Sequence, residues 1–140
     1  MTGDDCVFCR IAQGNAPCAK VYEDEEVLAF LAIGPIKPGH TLVIPKSHYK
    51  NLLETPDKLA QSVHKALQAI GRAVMSATGA QGFNVLQNNN PAAEQTIFHV
   101  HWHVIPRHDG DGVTNWVEGR YANQEEMRDL AQQIASFVQA

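Results

Sequence analysis

The stretch from residue 99 to residue 107 reads HVHWHVIPR and carries three of the seven histidines of this 140-residue chain. Side chains alternate across a β-strand, so the spacing predicts that His99, His101 and His103 share one face of a strand covering residues 96–106. The other face of that strand is apolar and carries Phe98, Val100, Trp102 and Val104. We therefore expect the apolar face to pack on the core and the histidines to line the opposite face.

Two chemistries suit such a row of imidazoles. A neutral imidazole that donates one ring proton to a backbone carbonyl keeps a free lone pair on its other nitrogen, and that nitrogen can attack phosphorus. Alternatively, three imidazoles could hold a catalytic zinc ion with an open coordination position. The spacing of the histidines does not decide between these two chemistries.

Composition limits the class of protein. Hydrophobic residues make up 44% of the chain, charged residues make up 19%, and the formal net charge is −4. These values indicate one globular domain over residues 1–140 and argue against a surface that binds a nucleic-acid polymer. We expect no membrane span and, since the N-terminus lacks an apolar signal region, a cytoplasmic protein.

The rest of the chain predicts an α+β fold with short, antiparallel connections. The predicted strands cover residues 20–22, 27–33, 40–45, 82–88 and 96–106. A short helix is expected over 5–13. A long helix should begin with Thr55 as its N-cap and Pro56 as its first residue, and end at Gly79. A last helix should begin at Asn123, with Glu126 as the acid of a capping box.

Polar residues near the histidine strand add ligand chemistry. Gln95 and Thr96 bring an amide and a hydroxyl just upstream of the histidines, as phosphate ligands would, and Asn88 lies in the preceding loop. His40 and His48 flank the strand 40–45. The pair Cys6-x-x-Cys9 is expected to be reduced in the cytosol, where it is more typical of metal binding or redox chemistry than of a structural disulfide.

These residues together resemble the histidine triad (HIT) family of nucleotide hydrolases and transferases. HVHWHVI matches the family pattern His-x-His-x-His-x-x with apolar x, and further matches are the AF at 29–30, GHTLVIPKSH at 39–48 and NNN…QTIFH at 88–99. The likeness runs from about Cys6 to Arg107, and the tail 108–140 resembles bacterial members more weakly. It implies a sheet of about five antiparallel strands, a long central helix and a C-terminal helix, paired across a two-fold axis into a dimer with one continuous sheet.

The resemblance also implies roles for individual residues. His101 would attack the α-phosphate of a purine nucleotide derivative and form a covalent nucleotidyl-histidine intermediate, which water releases as a nucleoside monophosphate. His103 would contact the phosphate and assist the leaving group. The remaining residues of the phosphate site would be Asn88, Gln95, Thr96 and His40. A non-catalytic nucleotide-binding or regulatory module remains the alternative.

Bacterial members of the family suggest a second site. There, Cys-x-x-Cys and two later histidines bind structural zinc, and the matching residues are Cys6, Cys9, His48 and His99. A Cys₂His₂ set forms a closed tetrahedral zinc site. Two reduced cysteines without metal remain the alternative. If zinc takes His99, then His101 and His103 are left for chemistry.

The sequence departs from the family pattern at two positions. Many members carry an acid that binds the ribose hydroxyls where this chain has Ala32, whose methyl group cannot accept a hydrogen bond. Many also carry glycine before the phosphate-binding pair, and this chain has Glu94. Both differences are expected to affect nucleotide affinity or selectivity, and neither removes the predicted nucleophile.

Overall fold

A computed structural model describes residues 5–114 and 116–138 of the chain. It confirms the α+β class and the five-stranded antiparallel sheet. The strands are β1 (Lys20–Glu23), β2 (Val27–Leu31), β3 (Thr41–Pro45), β4 (Gly82–Gln87) and β5 (Trp102–Arg107), in the sheet order β1-β2-β3-β5-β4. The helices are α1 (Val7–Ala12), α2 (Asp57–Thr78) and α3 (Gln124–Ser136), and two short 3₁₀ turns cover Leu52–Glu54 and Pro91–Ala93.

The helix ends follow from local hydrogen bonds. Asn123 caps α3, as predicted, by accepting a hydrogen bond from the Glu126 backbone N–H (2.8 Å). The Glu126 carboxylate forms no bond back to the Asn123 N–H in the described structure, so the predicted capping box is not complete. Gly79 ends α2 in the left-handed conformation (φ 74°), also as predicted. The predicted start of α2 is wrong by one residue. Pro56 occupies the N-cap, because the hydroxyl of Thr55 donates instead to Leu52 O (2.7 Å) and closes the preceding 3₁₀ turn.

Apolar side chains cover both faces of the central sheet. On one face, Val27, Ala29, Leu31, Val43 and Val104 pack against α2 and α3. On the other face, Leu28, Phe30 and Ile44 form a second cluster with Cys6, Phe8 and Cys9 at α1. None of the five side chains of β2 is exposed. The expectation of a single core face was therefore incomplete, since a smaller core lies on the histidine side of the sheet. None of the described helices is both long and apolar enough to cross a membrane.

The histidine strand is shorter than predicted. β5 begins at Trp102, and residues 96–101 do not join the sheet, so His99 and His101 lie outside the strand. The reason is that this segment bonds to the chain after β3. Val100 N–H donates to Tyr49 O (2.7 Å), and Gln95 Nε2 donates to Lys50 O (2.7 Å). Only His103 has strand geometry, opposite Leu42 of β3 and Leu86 of β4.

The loop before the histidines contains two residues with positive φ, Asn90 (φ 75°) and Glu94 (φ 70°), and Glu94 has the left-handed helical conformation. The side chain of Gln95 closes this loop, because its Oε1 accepts the Asn90 N–H (2.7 Å). A positive φ is strained for residues that carry a Cβ and unstrained for glycine. The departure at Glu94 therefore places an exposed glutamate where the backbone favours glycine.

We expect Glu94→Gly to raise the free energy of unfolding by about 1 kcal/mol, because it removes left-handed backbone strain of roughly 1–2 kcal/mol against a smaller entropy cost in the unfolded chain. Urea denaturation would measure the change. Ala93→Gly, one residue earlier and without a positive φ, is the matched control and should destabilise the protein. Equal losses of stability in both variants would contradict this explanation.

Candidate functional site

The ring of His99 faces the two cysteines. Its Nε2 lies 2.8 Å from Pro45 O, and since a carbonyl oxygen only accepts, Nε2 carries the ring proton. The other nitrogen, Nδ1, therefore presents a lone pair, and it lies 3.4 Å from Cys6 Sγ and 3.5 Å from Cys9 Sγ. A carbonyl that fixes the tautomer of a histidine in this way is a common outer partner of metal-binding imidazoles.

The four predicted zinc ligands come together from three separate parts of the chain. One ligand atom from each of Cys6, Cys9, His48 and His99 lies within 4.8 Å of the others. Cys9 Sγ is 3.3 Å from His48 Nδ1. In a tetrahedral zinc site with ordinary bond lengths, sulfur and nitrogen ligands lie about 3.5 Å apart. The donor types and separations thus fit a tetrahedral metal ion, and no other such group occurs in the described ranges 5–114 and 116–138.

The short helix α1 supplies both thiols. Cys6 is its N-cap, and its Sγ accepts the backbone N–H of Cys9 (3.3 Å), so the first turn points both sulfur atoms the same way. Both cysteines are buried. Phe8, between them in sequence, packs edge-on against the rings of His99 (centroids 5.8 Å apart) and His101 (5.2 Å). The helix therefore joins the metal-ligand group to the middle histidine of the triad.

His101 has the tautomer that a nucleophile needs. Its Nδ1 lies 2.8 Å from the backbone oxygen of His99, so Nδ1 donates and Nε2 keeps a free lone pair. Burial lowers the pKa of His101 below its ordinary 6.5, although the bond to the His99 carbonyl partly opposes this. At neutral pH the ring is therefore uncharged, with Nε2 available to attack an electrophile.

His40 and His103 form a directed chain of hydrogen bonds. The Ile36 backbone N–H donates to His40 Nδ1 (3.0 Å), so the proton of the neutral His40 ring is on Nε2. That atom lies 2.9 Å from His103 Nδ1, which must accept, so His103 carries its own proton on Nε2. Burial, followed by the charge of neighbouring histidines, lowers the pKa of His40 to about 3 and that of His103 to about 4. Both rings are neutral at pH 7.

The remaining predicted phosphate ligands differ in whether their side chains are already hydrogen-bonded within the protein. Both amide hydrogens of Gln95 are donated to backbone carbonyls, to Lys50 O (2.7 Å) and Ile97 O (2.9 Å). A phosphate contact by this amide remains a prediction and would break one of those bonds. Both ring nitrogens of His40 are likewise engaged. Asn88 is half-buried and Thr96 is exposed, and no described residue hydrogen-bonds either side chain.

Several groups at the site were not identified from the sequence. The carbonyl oxygens of Pro45 and His99 and the Ile36 N–H set the tautomers of three histidines, but backbone groups leave no mark in a residue pattern. Phe8 lies in an apolar helix, where nothing in the sequence separates it from an ordinary core residue. The described residues do not form a zinc site from His99, His101 and His103, because the unprotonated nitrogen of His99 faces the cysteines.

Comparisons with known proteins agree with this geometry. The sequence model of the HIT domain matches residues 13–110. The chain is 42% identical to the protein named hit of Bacillus subtilis over 135 residues, which are 94% of this chain and 93% of the relative. It is 37% identical to adenosine 5′-monophosphoramidase hnt1 of Schizosaccharomyces pombe over 136 residues, or 95% and 98%. It is 46% identical to adenylylsulfatase HINT3 of Arabidopsis thaliana over 108 residues, or 77% and 55%.

A solved structure is similar over almost the whole fold. It is a zinc-bound histidine triad family protein from Mycobacterium smegmatis, 37% identical, with a TM-score of 0.86. The superposition covers 95% of this chain and 92% of that one. The tail of the present chain, the part that resembles the family more weakly in sequence, is therefore largely included in the structural match.

We expect the stability of the protein to fall as the pH is lowered from about 6.5 towards 3, in part because of His40. Its pKa is about 3 when folded and about 6.5 when unfolded, so in this window the unfolded chain binds more protons. The contribution of neutral His40 to the free energy of unfolding is fully present above pH 6.5. Below that pH it falls by up to about 1.4 kcal/mol per pH unit. His40→Asn, whose side-chain oxygen can replace Nδ1 as acceptor for Ile36 N–H, should make this slope shallower.

Urea denaturation at a series of pH values measures the slope, and His64→Asn, at an exposed histidine of α2, is the matched control. The difference between variants removes effects common to all of them, including loss of any bound metal at acid pH. A wild-type slope in His40→Asn would contradict the role given to burial.

Proposed function

The chain belongs to the HIT domain family, and on that premise we propose that it is a nucleotide hydrolase that acts through a covalent nucleotidyl-histidine intermediate on His101. The observation that carries the proposal is the bond from His101 Nδ1 to the His99 carbonyl, which leaves Nε2 unprotonated within a neutral, buried set of imidazoles. The named activities of the phosphoramidase and adenylylsulfatase relatives support a nucleotide-processing role. The substrate we propose is a purine nucleotide derivative with a leaving group on its α-phosphate.

In the first step, His101 Nε2 attacks the α-phosphorus and the bond from phosphorus to the leaving group breaks. The phosphoimidazole carries a positive charge, which the His99 carbonyl stabilises through the proton on Nδ1. An anionic phosphate beside His40 and His103 raises their pKa values, so this pair takes up one proton from solvent together with the substrate. The proton goes to His40 Nδ1, which gives up its bond from the Ile36 N–H, and the Nε2 proton of His40 passes to His103 Nδ1. His103 then gives its Nε2 proton to the departing group.

In the second step, a water molecule attacks the same phosphorus, and the bond between phosphorus and His101 Nε2 breaks. His103, whose Nε2 is now unprotonated, accepts a proton from the water. The product is a nucleoside monophosphate. When it leaves, the His40–His103 pair returns to solvent the proton that it took up with the substrate, and the histidines are back in their starting states. Splitting one displacement into two lowers the barrier of each step.

The phosphate would be held by groups that the described structure leaves free. We propose direct contacts from the Nε2–H of His103, the amide of Asn88 and the hydroxyl of Thr96. Gln95 contributes by shaping the loop from Asn90 onward, since its amide already bonds the backbone there. His40 acts through His103 as a positioning residue and not by touching the phosphate.

We propose that Cys6, Cys9, His48 and His99 hold a structural zinc ion. Bound there, zinc would supply no open coordination position and would cross-link α1 to the segments that carry His48 and His99. The zinc-bound family member from Mycobacterium smegmatis supports this assignment. Because His99 both faces the cysteines and accepts the bond from His101, the metal would fix the carbonyl that orients the nucleophile.

We also propose a cytoplasmic homodimer in which β4 pairs with its two-fold mate, making one continuous sheet. β4 is an edge strand, so one row of its backbone N–H and C=O groups has no partner strand within the sheet. Phe83 and Val85 are exposed at 37% and 44%, and they lie on the same face of that edge. Pairing of two β4 strands would satisfy the backbone groups and cover these apolar side chains.

His101→Ala should abolish turnover of adenosine 5′-phosphoramidate, with kcat lowered by at least about 10³-fold, because the covalent route is lost. Release of ammonia and AMP measures the rate, and circular dichroism checks the fold. Asn88→Ala is the comparison variant and should chiefly raise KM. Residual activity within tenfold of wild type in His101→Ala would exclude this mechanism.

A non-catalytic nucleotide-binding module is the second candidate, favoured by Ala32 and Glu94 at positions where many family members carry an acid and a glycine. It would be distinguished by a purified wild-type protein that binds AMP but hydrolyses neither phosphoramidate nor dinucleoside polyphosphate.

Zinc removal should lower the melting temperature by several degrees or more, because a structural metal contributes free energy of folding. Zinc is measured by elemental analysis and the melting temperature by calorimetry, before and after chelation. Cys6→Ser with Cys9→Ser should bind no zinc and should not respond to chelator. His101→Ala should bind zinc normally. A protein whose zinc is lost in His101→Ala and kept in the cysteine variant would reverse the assignment.

A further inference from the structure

The segment 116–121, called the strap here, lies across the loop that joins β2 to β3. Two hydrogen bonds fasten it: Gly119 N–H donates to Pro35 O (2.7 Å), and Gly39 N–H donates to the Tyr121 hydroxyl oxygen (2.9 Å). Tyr121 also packs against the main core. The strap is therefore fixed to the middle of the β2–β3 loop and to its last part, just before β3.

The strap places the side chain of Glu118 directly on Gly34. A Cβ built at Gly34 would lie 2.5 Å from Glu118 Oε2 and 3.1 Å from its Cδ. Gly34 does not have a positive φ, so its backbone conformation does not require glycine. The lack of a side chain at residue 34 is what makes room for the carboxylate.

The same loop is bound to His40, the positioning residue of the site. Ala32 N–H donates to His40 O (2.9 Å), and Ile36 N–H donates to His40 Nδ1, the first bond of the chain that leads to His103. The residues between these anchors read Ala-Ile-Gly-Pro-Ile and offer no polar side chain. The carboxylate of Glu118 supplies the acceptor that this loop lacks. It is exposed, and no described residue forms a hydrogen bond or ion pair with it.

A carboxylate beside the loop that holds His40 matches one chemical group of the proposed substrate. The two hydroxyls of a ribose are adjacent donors, and the two oxygens of one carboxylate can accept from both. We propose that Glu118 binds the ribose hydroxyls of the nucleotide and makes the protein selective for ribonucleotides over 2′-deoxyribonucleotides. The inference rests on the proposed function. Glu118 would take the role of the ribose-binding acid that many family members carry at the position of Ala32.

The test compares adenosine 5′-phosphoramidate with its 2′-deoxy analogue. Wild-type protein should prefer the ribonucleotide by about 10- to 100-fold in kcat/KM, the range expected for a hydrogen bond to a charged group. Glu118→Ala and Glu118→Gln should reduce this ratio to near one for Ala and to an intermediate value for Gln, with the change in KM and not in kcat. Glu125→Ala, at an exposed acid of α3, is the matched control and should keep the wild-type ratio.

Gly34→Ala provides a second, independent variant. The added methyl group displaces the flexible end of Glu118 while the charge of the protein stays the same, so the ribose preference should fall although the melting temperature changes little. A merely structural role of Glu118 predicts the opposite pattern, with altered melting temperature and an unchanged ratio.

Binding of AMP and 2′-deoxy-AMP by calorimetry keeps this test separate from turnover. If wild-type protein hydrolyses no phosphoramidate, the proposed hydrolase function fails, and a ribose preference in binding that Glu118→Ala abolishes still supports the present inference. The inference is overturned if wild type and Glu118→Ala prefer AMP over 2′-deoxy-AMP by the same ratio. It is also overturned if the wild-type protein binds the two nucleotides equally well, or binds neither.

Discussion

One residue, His99, connects the two halves of the site. Its ring donates to the Pro45 carbonyl and turns its lone pair towards the cysteines, while its own carbonyl accepts from His101. The orientation of the proposed nucleophile, His101, therefore depends on the backbone carbonyl of His99. The side chain of the same residue belongs to the metal-ligand group. Because His99 is fully buried, no water competes for either bond.

The site is built to keep its imidazoles neutral. Four histidines, His40, His99, His101 and His103, have lowered pKa values, and for each of them burial is the main cause. No carboxylate lies among the hydrogen-bond partners of these rings in the described structure. Each ring is instead held by a backbone group or by another imidazole. An uncharged cluster suits an anionic ligand, which brings the negative charge that lets the pair His40–His103 accept a proton.

Sequence reasoning was most successful where one local signal determines the structure. The cap at Asn123 and the stop at Gly79 follow from residue type and spacing. Spacing alone left the pair Cys6 and Cys9 between metal binding and redox chemistry, and family resemblance supplied the metal-ligand set with His48 and His99. It failed where long-range bonds override a local pattern. The alternation of HVHWHVI predicts one strand from 96 to 106, yet Tyr49 and Lys50 hold the first part of it away from the sheet. No feature of a single strand could reveal those partners, or the contact between Glu118 and Gly34.

The two cores on either side of β2 imply that the stability of the protein comes in two separable parts. The buried side chains of the cluster under α2 and α3 are all aliphatic, and this cluster contains no metal-ligand residue. The smaller cluster around Phe8, Leu28 and Ile44 includes both cysteines of the metal-ligand group. Loss of a metal ion would therefore loosen α1 and the segment before β5 as a local unit, while the sheet and its two long helices persist. A protein in that state would keep its far-ultraviolet circular dichroism and its shape, and would have a disordered nucleophile.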